Sequence, residues 1–230
     1  MAERLEILNI EAHRELCVRR DAGRRHAHFV MIVLQEFAAA ASSCPIFFAK
    51  DPETGEFYAA ALFGFQPGEL LVEGADEENA AFTPLEVQRQ GFFVSGENIA
   101  IDRDHPRFGQ GATIPLFEDD GMPSSALRKI QRLLGQLHGG IDATRAFIGE
   151  LLRLKLIEPI DISMTFDDGQ SLTLDGLYTV SRDSLNELHD SDIISLFRSG
   201  YLQAALCAIQ SLNQVAVLAR RRNERLTAQA

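Results

Sequence analysis

The stretch CPIFFAKDPETGEFYAAALFGFQPGELLV, Cys44 to Val72, reads as two apolar strands joined by a tight polar turn. The strand candidates are Ile46–Lys50 and Phe57–Phe65. Both runs are apolar on both faces, the pattern of strands that are covered on both sides. Between them lies Asp51-Pro52-Glu53-Thr54-Gly55. Proline presets φ, glycine accepts positive φ, and aspartate bonds nearby backbone N–H groups, so the segment is expected to reverse the chain. The hairpin is therefore expected at the centre of a sheet. It holds no nucleophile–base pair, metal-ligand set or phosphate loop.

Upstream, Leu5–Ile10 and Glu15–Arg19 read as short strands, and Phe29–Ala41, rich in alanine and leucine, as a helix ended by Ser42-Ser43-Cys44-Pro45. Downstream, Leu70-Leu71-Val72 reads as a further strand, and the acidic run Glu73–Asn79 as a surface loop. Thr83-Pro84-Leu85-Glu86 matches a helix start with Thr83 as N-cap. Gly91–Val94 and Ile99–Ile101 flank Ser95-Gly96-Glu97-Asn98 and suggest another hairpin. Asp102–Met122 has no sustained period and reads as a long irregular connection, a type often functional. It contains two prolines and several large apolar residues, which should keep it ordered across the sheet.

The character changes after Pro123. Ser124 is a candidate N-cap, and Leu127, Ile130, Leu134, Leu137 and Ile141 form a helical stripe. Gly139-Gly140 marks either a meeting of two helices or a close approach of another backbone. Phe147 to Ile157 continues helical until Glu158-Pro159. Ile160, Ile162, Met164 and Phe166 alternate with polar residues, Asp167-Asp168-Gly169-Gln170 turns the chain, and Leu172 and Leu174 resume the alternation. From Ser181 the chain reads as helices over Ser184–Leu188, Asp190–Ser199 and Tyr201–Arg222. The buried stripe of the last is expected to be Leu202, Ala205, Leu206, Ile209 and Leu212, with a frayed NERLTAQA tail. The expected class is α+β: an antiparallel sheet built from several hairpins, packed with a helical C-terminal part. The expected division is a mostly β body with one early helix over 1–122 and a helix-rich half over 123–230 with one hairpin at 160–180, the two forming one compact unit.

The 230 residues carry 33 acidic against 22 basic side chains, a formal charge of −11. That balance opposes non-specific nucleic-acid binding, which depends on Lys and Arg neutralising phosphates. Cys17, Cys44 and Cys207 are far apart, which suggests reduced thiols and a reducing compartment. The N-terminus shows no apolar signal-peptide core, and no apolar run reaches the roughly 20 residues of a membrane span. A cytoplasmic location without a membrane span is the expectation.

Among chemistry-bearing residues, His26-x-His28 offers two ligands, and Asp102, Asp104 or His105 a third, but nothing in the spacing brings them together. Solvated histidines beside the cluster Arg19, Arg20, Arg24 and Arg25 are the simpler reading, although that cluster could also hold an anionic partner. Ser95, Ser124 and Cys44 lack a nucleophile motif or an adjacent base. Gly64-x-x-x-Gly68 and Gly109-x-Gly111 are not phosphate loops, so no cofactor is implied. The phenylalanine-rich set from Phe47 to Phe93 is mostly core, with enough rings left to border a groove for an apolar or peptide ligand.

Several segments together resemble the SapC family of bacterial proteins. They are Pro45-Ile46-Phe47-Phe48-Ala49-Lys50-Asp51, Ala61-Leu62-Phe63-Gly64-Phe65-x-Pro67-Gly68-Glu69 and Pro115-Leu116-Phe117-Glu118-Asp119-Asp120-Gly121-x-Pro123-Ser124. Thr144-Arg145-Ala146-Phe147, Leu156-Ile157-Glu158-Pro159 and Leu174-Asp175-Gly176-Leu177-Tyr178-x-Val180 continue the likeness. The chain departs from the family's more aromatic pattern near Phe82–Gln90. By its name the family implies association with bacterial surface layers, and it implies no settled activity or catalytic residues. The leading expectation is a non-enzymatic binding or accessory protein that engages a protein or peptide partner. Its contacts would be the aromatic sheet and Arg103, His105, Arg107, Phe108 and Phe117 of the long connection. The alternatives are a metal or acid–base enzyme using His26, His28, Asp102, Asp104 and His105, and a surface-layer component. Oligomeric state is not legible.

Overall fold

The computed structural model describes residues 5–19, 27–72 and 82–229. In chain order these begin with β1 (Leu5–Ile7), α1 (Ile10–His13), β2 (Cys17–Val18), β3 (Phe29–Met31), α2 (Phe37–Ala41), β4 (Ile46–Lys50) and β5 (Phe57–Leu62). There follow α3 (Leu85–Gln88), β6 (Phe92–Ser95), β7 (Asn98–Asp102), β8 (Ile114–Pro115) and α4 (Ser125–Arg153). The chain ends with β9 (Ile157–Thr165), β10 (Ser171–Val180), α5 (Arg182–Asn186), α6 (Asp190–Arg198), α7 (Tyr201–Ser211) and α8 (Asn213–Gln229). The architecture is α+β, with antiparallel strand pairs and a substantial C-terminal helical region. Contacts divide the chain into two compact units, Met1–His26 with Thr83–Gly139, and Ala27–Phe82 with Gly140–Ala230.

The first unit holds a three-stranded antiparallel sheet in the order β1-β7-β6 and the pair β2-β8. Phe92 pairs with Ile101, and both are buried among Leu16, Val18, Phe108, Leu116, Leu127, Ile130 and Leu134. The expected Gly91–Ile101 hairpin is present. The strand expected over Leu5–Ile10 stops at Ile7, because Asn9 accepts the Ala12 N–H at 2.8 Å and caps α1. Only Cys17-Val18 of Glu15–Arg19 pairs as strand, and Pro84 rather than Thr83 caps α3. The Asp102–Met122 connection carries the 3₁₀ turn Pro106–Phe108 and strand β8, and Phe117 near its end bridges to Pro123. It is held by the N-terminal segment: Leu116 N–H donates to Leu16 O at 3.0 Å, and Arg19 N–H to Arg107 O at 2.9 Å.

The second unit is built on a five-stranded antiparallel sheet in the order β3-β5-β4-β10-β9. The β4–β5 hairpin is central, as its two-sided apolar pattern required. Ile46, Phe47, Phe48 and Ala59 to Ala61 are buried. Phe48 lies against Phe37 of α2 and Phe147 of α4, which also touch each other edge to face. The hairpin expected at 160–180 is β9–β10, with Ile160, Ile162, Met164, Leu172 and Leu174 partly buried and their neighbours exposed.

Several local expectations are corrected here. Phe29–Ala41 is not one helix: Phe29 and Met31 pair with Leu62 and Ala60, and the helix starts only after Val33 donates its N–H to the Glu36 carboxylate at 2.9 Å. Pairing against the central strand outweighs the helical propensity of the segment's residues. Leu70–Val72 is no strand; it folds back so that Leu71 N–H donates to Phe63 O at 2.6 Å. A Cβ at Gly64 would collide there with the Glu69 carbonyl, which is why the turn needs glycine. The helix does not run to Ile157: Lys155 takes positive φ (57°), Leu156 N–H donates to Leu151 O and Lys155 N–H to Leu152 O. That is a Schellman end closed by two buried leucines, four residues before Pro159. In α7 the buried residues are Ala204, Ala205, Ala208 and Ser211, while Leu206 is exposed. Small side chains let α7 lie close on α2, β4 and β10. Ser211 Oγ also accepts the Ile46 N–H at 2.9 Å. The tail expected to fray is helical to Gln229. By length and composition the stretch Tyr201–Ala228 is long and apolar enough to cross a membrane, which the sequence reading had not recognised. In the fold it is divided between α7 and α8 at Leu212.

Helix α4 runs unbroken for 29 residues, with Ser124 Oγ accepting the Leu127 N–H at 3.2 Å as the expected cap. Its two glycines differ. A Cβ at Gly139 would meet nothing within 4 Å, whereas one at Gly140 would lie 2.8 Å from Val33 Cβ and Cγ2. Gly140→Ala is therefore expected to destabilise the protein by about 1–3 kcal/mol through overpacking. Gly139→Ala is expected to stabilise it by up to about 1 kcal/mol through helix propensity. Denaturant titration of the two single variants checks the pair; equal effects would contradict the contact.

Candidate functional site

The turn between β4 and β5 is built by one carboxylate. Asp51 accepts the Glu53 N–H at 3.0 Å, the Thr54 N–H at 2.8 Å and the Thr54 hydroxyl at 3.0 Å. These bonds, the Thr54 backbone N–H foremost, hold the Asp51 carboxyl below the usual carboxylate range, so it stays charged at neutral pH. Glu56 follows Gly55 directly and precedes the first residue of β5.

Helix α4 faces this turn with Ile141, Thr144, Arg145 and Ile148, spaced to share one side of the helix. Thr144 fixes the helix to the preceding chain: its hydroxyl accepts the Leu34 N–H at 2.8 Å and donates to Gly140 O at 2.6 Å. The absence of a side chain at Gly140 allows this approach. Between helix and hairpin lies an open pocket of about 350 Å³, lined by Met31 to Val33, Asp51, Thr54, Glu56 to Ala59 and the four helix residues. Its volume is in the range of ligand pockets.

The pocket has an apolar floor and a charged rim. Burial and the Asp51 charge push the Tyr58 phenol above its ordinary value, so it is a neutral group. On the rim, Arg145 donates to Asp142 at 3.1 Å, and its Nε lies 3.8 Å from Glu56. Both threonine hydroxyls are committed to the bonds that build the walls. Among the described residues that line it there is no histidine, cysteine or serine. The arrangement suits binding an apolar group beside charges.

The residues expected to form a site in the long connection lie in the first unit. Arg103 is exposed in the turn after β7. His105, Arg107 and Phe108 are brought together by the 3₁₀ turn, but they face inward. The His105 Nδ1 accepts the Arg107 N–H at 3.2 Å, and burial lowers its pKa, with Asp102 opposing and Arg107 assisting. The Arg107 guanidinium donates to Gln88 O at 2.7 Å and Gln90 O at 3.1 Å, and lies 5.1 Å from the Phe92 ring centre. Burial lowers its pKa to about 10. Phe108 is 8% exposed within the unit's core, and Phe117 packs partly buried against that core.

His26, with Arg20, Arg24, Arg25 and the acidic run Glu73–Asn79, lies outside the described residues. His28 belongs to the second unit, and its pKa is lowered by burial, partly offset by Glu69. Asp102 accepts the Asp104 N–H at 3.2 Å in the first unit. Among the described residues no group of three or more His, Cys, Asp or Glu is placed to hold a metal ion. Ser124 is a helix cap. Cys44 is buried with its thiol pushed up, first by burial and then by Glu36, the opposite of an activated nucleophile.

Sequence reasoning missed the pocket. Asp51 and Gly55 were legible as turn formers, and Arg145 only as part of the segment Thr144–Phe147 that carries the family resemblance. The one available signal was Gly139-Gly140, which marked a close approach on the helix face that carries Thr144.

The family model described as SapC matches residues 8–218. No curated protein and no solved structure matches the chain.

Proposed function

The chain belongs to the SapC family, and from that premise we propose that it is a non-enzymatic binding or accessory protein that engages a protein or peptide partner. The partner's apolar side chain seats in the pocket between α4 and the β4–β5 turn. The observation that carries this reading is the pocket itself, open, apolar at its floor, with its hydroxyls already bonded. The reading includes a bacterial cytoplasmic location, no membrane span and no nucleic-acid partner, the last supported by the charge of −11. It does not require a cofactor.

Panning a displayed random-peptide library against the protein tests the reading. Enriched peptides are expected to bind with micromolar dissociation constants. They are expected to bind at least about tenfold more weakly to Ile141→Trp, which fills the pocket from a partly exposed position; tenfold corresponds to about 1.4 kcal/mol. Equal melting temperatures of the two proteins serve as the control. No enrichment, or equal binding to both proteins, would sink the reading.

A further inference from the structure

The charges at the pocket rim narrow the class of partner. We infer that the occupant is a basic apolar segment, an aliphatic or aromatic side chain with a lysine or arginine a few residues away. This deepens the binding reading above and rests on it.

Two carboxylates, Asp51 and Glu56, line the pocket, against one cation, Arg145. That cation is already occupied: Asp142 accepts from it at 3.1 Å and Glu56 lies 3.8 Å away. A carboxylate or phosphate ligand would share that cation with two carboxylates whose charge already exceeds it. A cation would meet carboxylates with capacity to spare, since each ionised carboxylate has about four acceptor sites. Asp51 is fixed by the turn and does not need to reorganise to receive it. The other nearby cation, Lys50, has its ammonium over the rings of Phe57 and Tyr178, 5.0 and 5.3 Å from their centres. Glu53, on the same turn, adds a further negative charge. The apolar floor takes the side chain, and the excess of rim carboxylates selects the neighbouring charge.

The same panning decides the matter by the composition of the enriched peptides and by their salt response. Peptides with an apolar residue and a Lys or Arg within about three positions are expected to dominate, that span being about one extended reach across the rim. Their affinity is expected to fall about three- to tenfold between about 0.05 M and 0.5 M NaCl, because the Debye length shortens. Glu56→Lys is expected to weaken them by a similar factor, and Glu56→Gln by less. Glu56 is 67% exposed at its side chain, so neither change should unfold the protein, and the melting temperatures verify this. Enrichment of neutral or acidic peptides that still lose binding on Ile141→Trp would overturn the charge inference and leave the pocket reading standing. Peptides indifferent to Ile141→Trp, or none at all, would overturn both.

Discussion

Phe48→Ala is expected to destabilise the protein by about 3–5 kcal/mol, the range for a fully buried phenylalanine. Phe48 is 0% exposed at the middle of β4, paired with Ala59 on one side and Tyr178 on the other. Its ring centre lies 6.4 Å from that of Phe37 and 6.3 Å from that of Phe147. Removing it leaves a void between sheet, α2 and α4. None of these can collapse freely, because α2 is tied to the strand through Pro45 and α4 through the Thr144 bond to Leu34. A loss below about 1 kcal/mol in equilibrium denaturation would mean that the side chain is not enclosed.

A loss of similar size, about 3–5 kcal/mol, is expected for Phe108→Ala. Its ring meets Phe92 edge to face at 5.3 Å within the core of the first unit. The adjacent Arg107 holds the Gln88 and Gln90 carbonyls, so the turn cannot swing inward to fill the gap. The sequence reading placed this residue at a binding surface, where its removal should leave the melting temperature nearly unchanged. Thermal denaturation separates the two: a shift of several degrees marks a core residue, and an unchanged transition an exposed one.

The parts of the fold that could be read in advance are those whose pattern contains its own answer. Ile46–Lys50 and Phe57–Phe65 read as apolar on both faces, so they had to be interior strands whatever covered them, although the second strand ends at Leu62. The alternation from Ile160 to Leu174 equally fixed a half-exposed hairpin. What escaped depends on partners distant in sequence. Phe29–Met31 carries no local sign that it will pair with Ala60–Leu62. The alanines of α7 are buried because a small side chain suits close packing on α2, although its leucines are the stronger apolar signal. An aperiodic loop does not announce which of its side chains turn inward, so Arg107 and Phe108 looked available. The two compact units are each assembled from two distant segments, whereas a reading along the chain divides it where composition changes, near Met122. The candidate site escaped for the same reason: Asp51 and Arg145 are separated by most of a domain, and each has a sufficient local explanation.

The claim that the binding surface is the pocket of the second unit is tested most directly by mapping backbone amide shifts of the isotope-labelled protein as an enriched peptide is added. The account predicts that perturbations concentrate at Met31–Val33, Asp51–Ala59 and Ile141–Ile148, while Asp102–Met122 stays unmoved. Perturbations confined to Asp102–Met122, with the pocket residues silent, would contradict it.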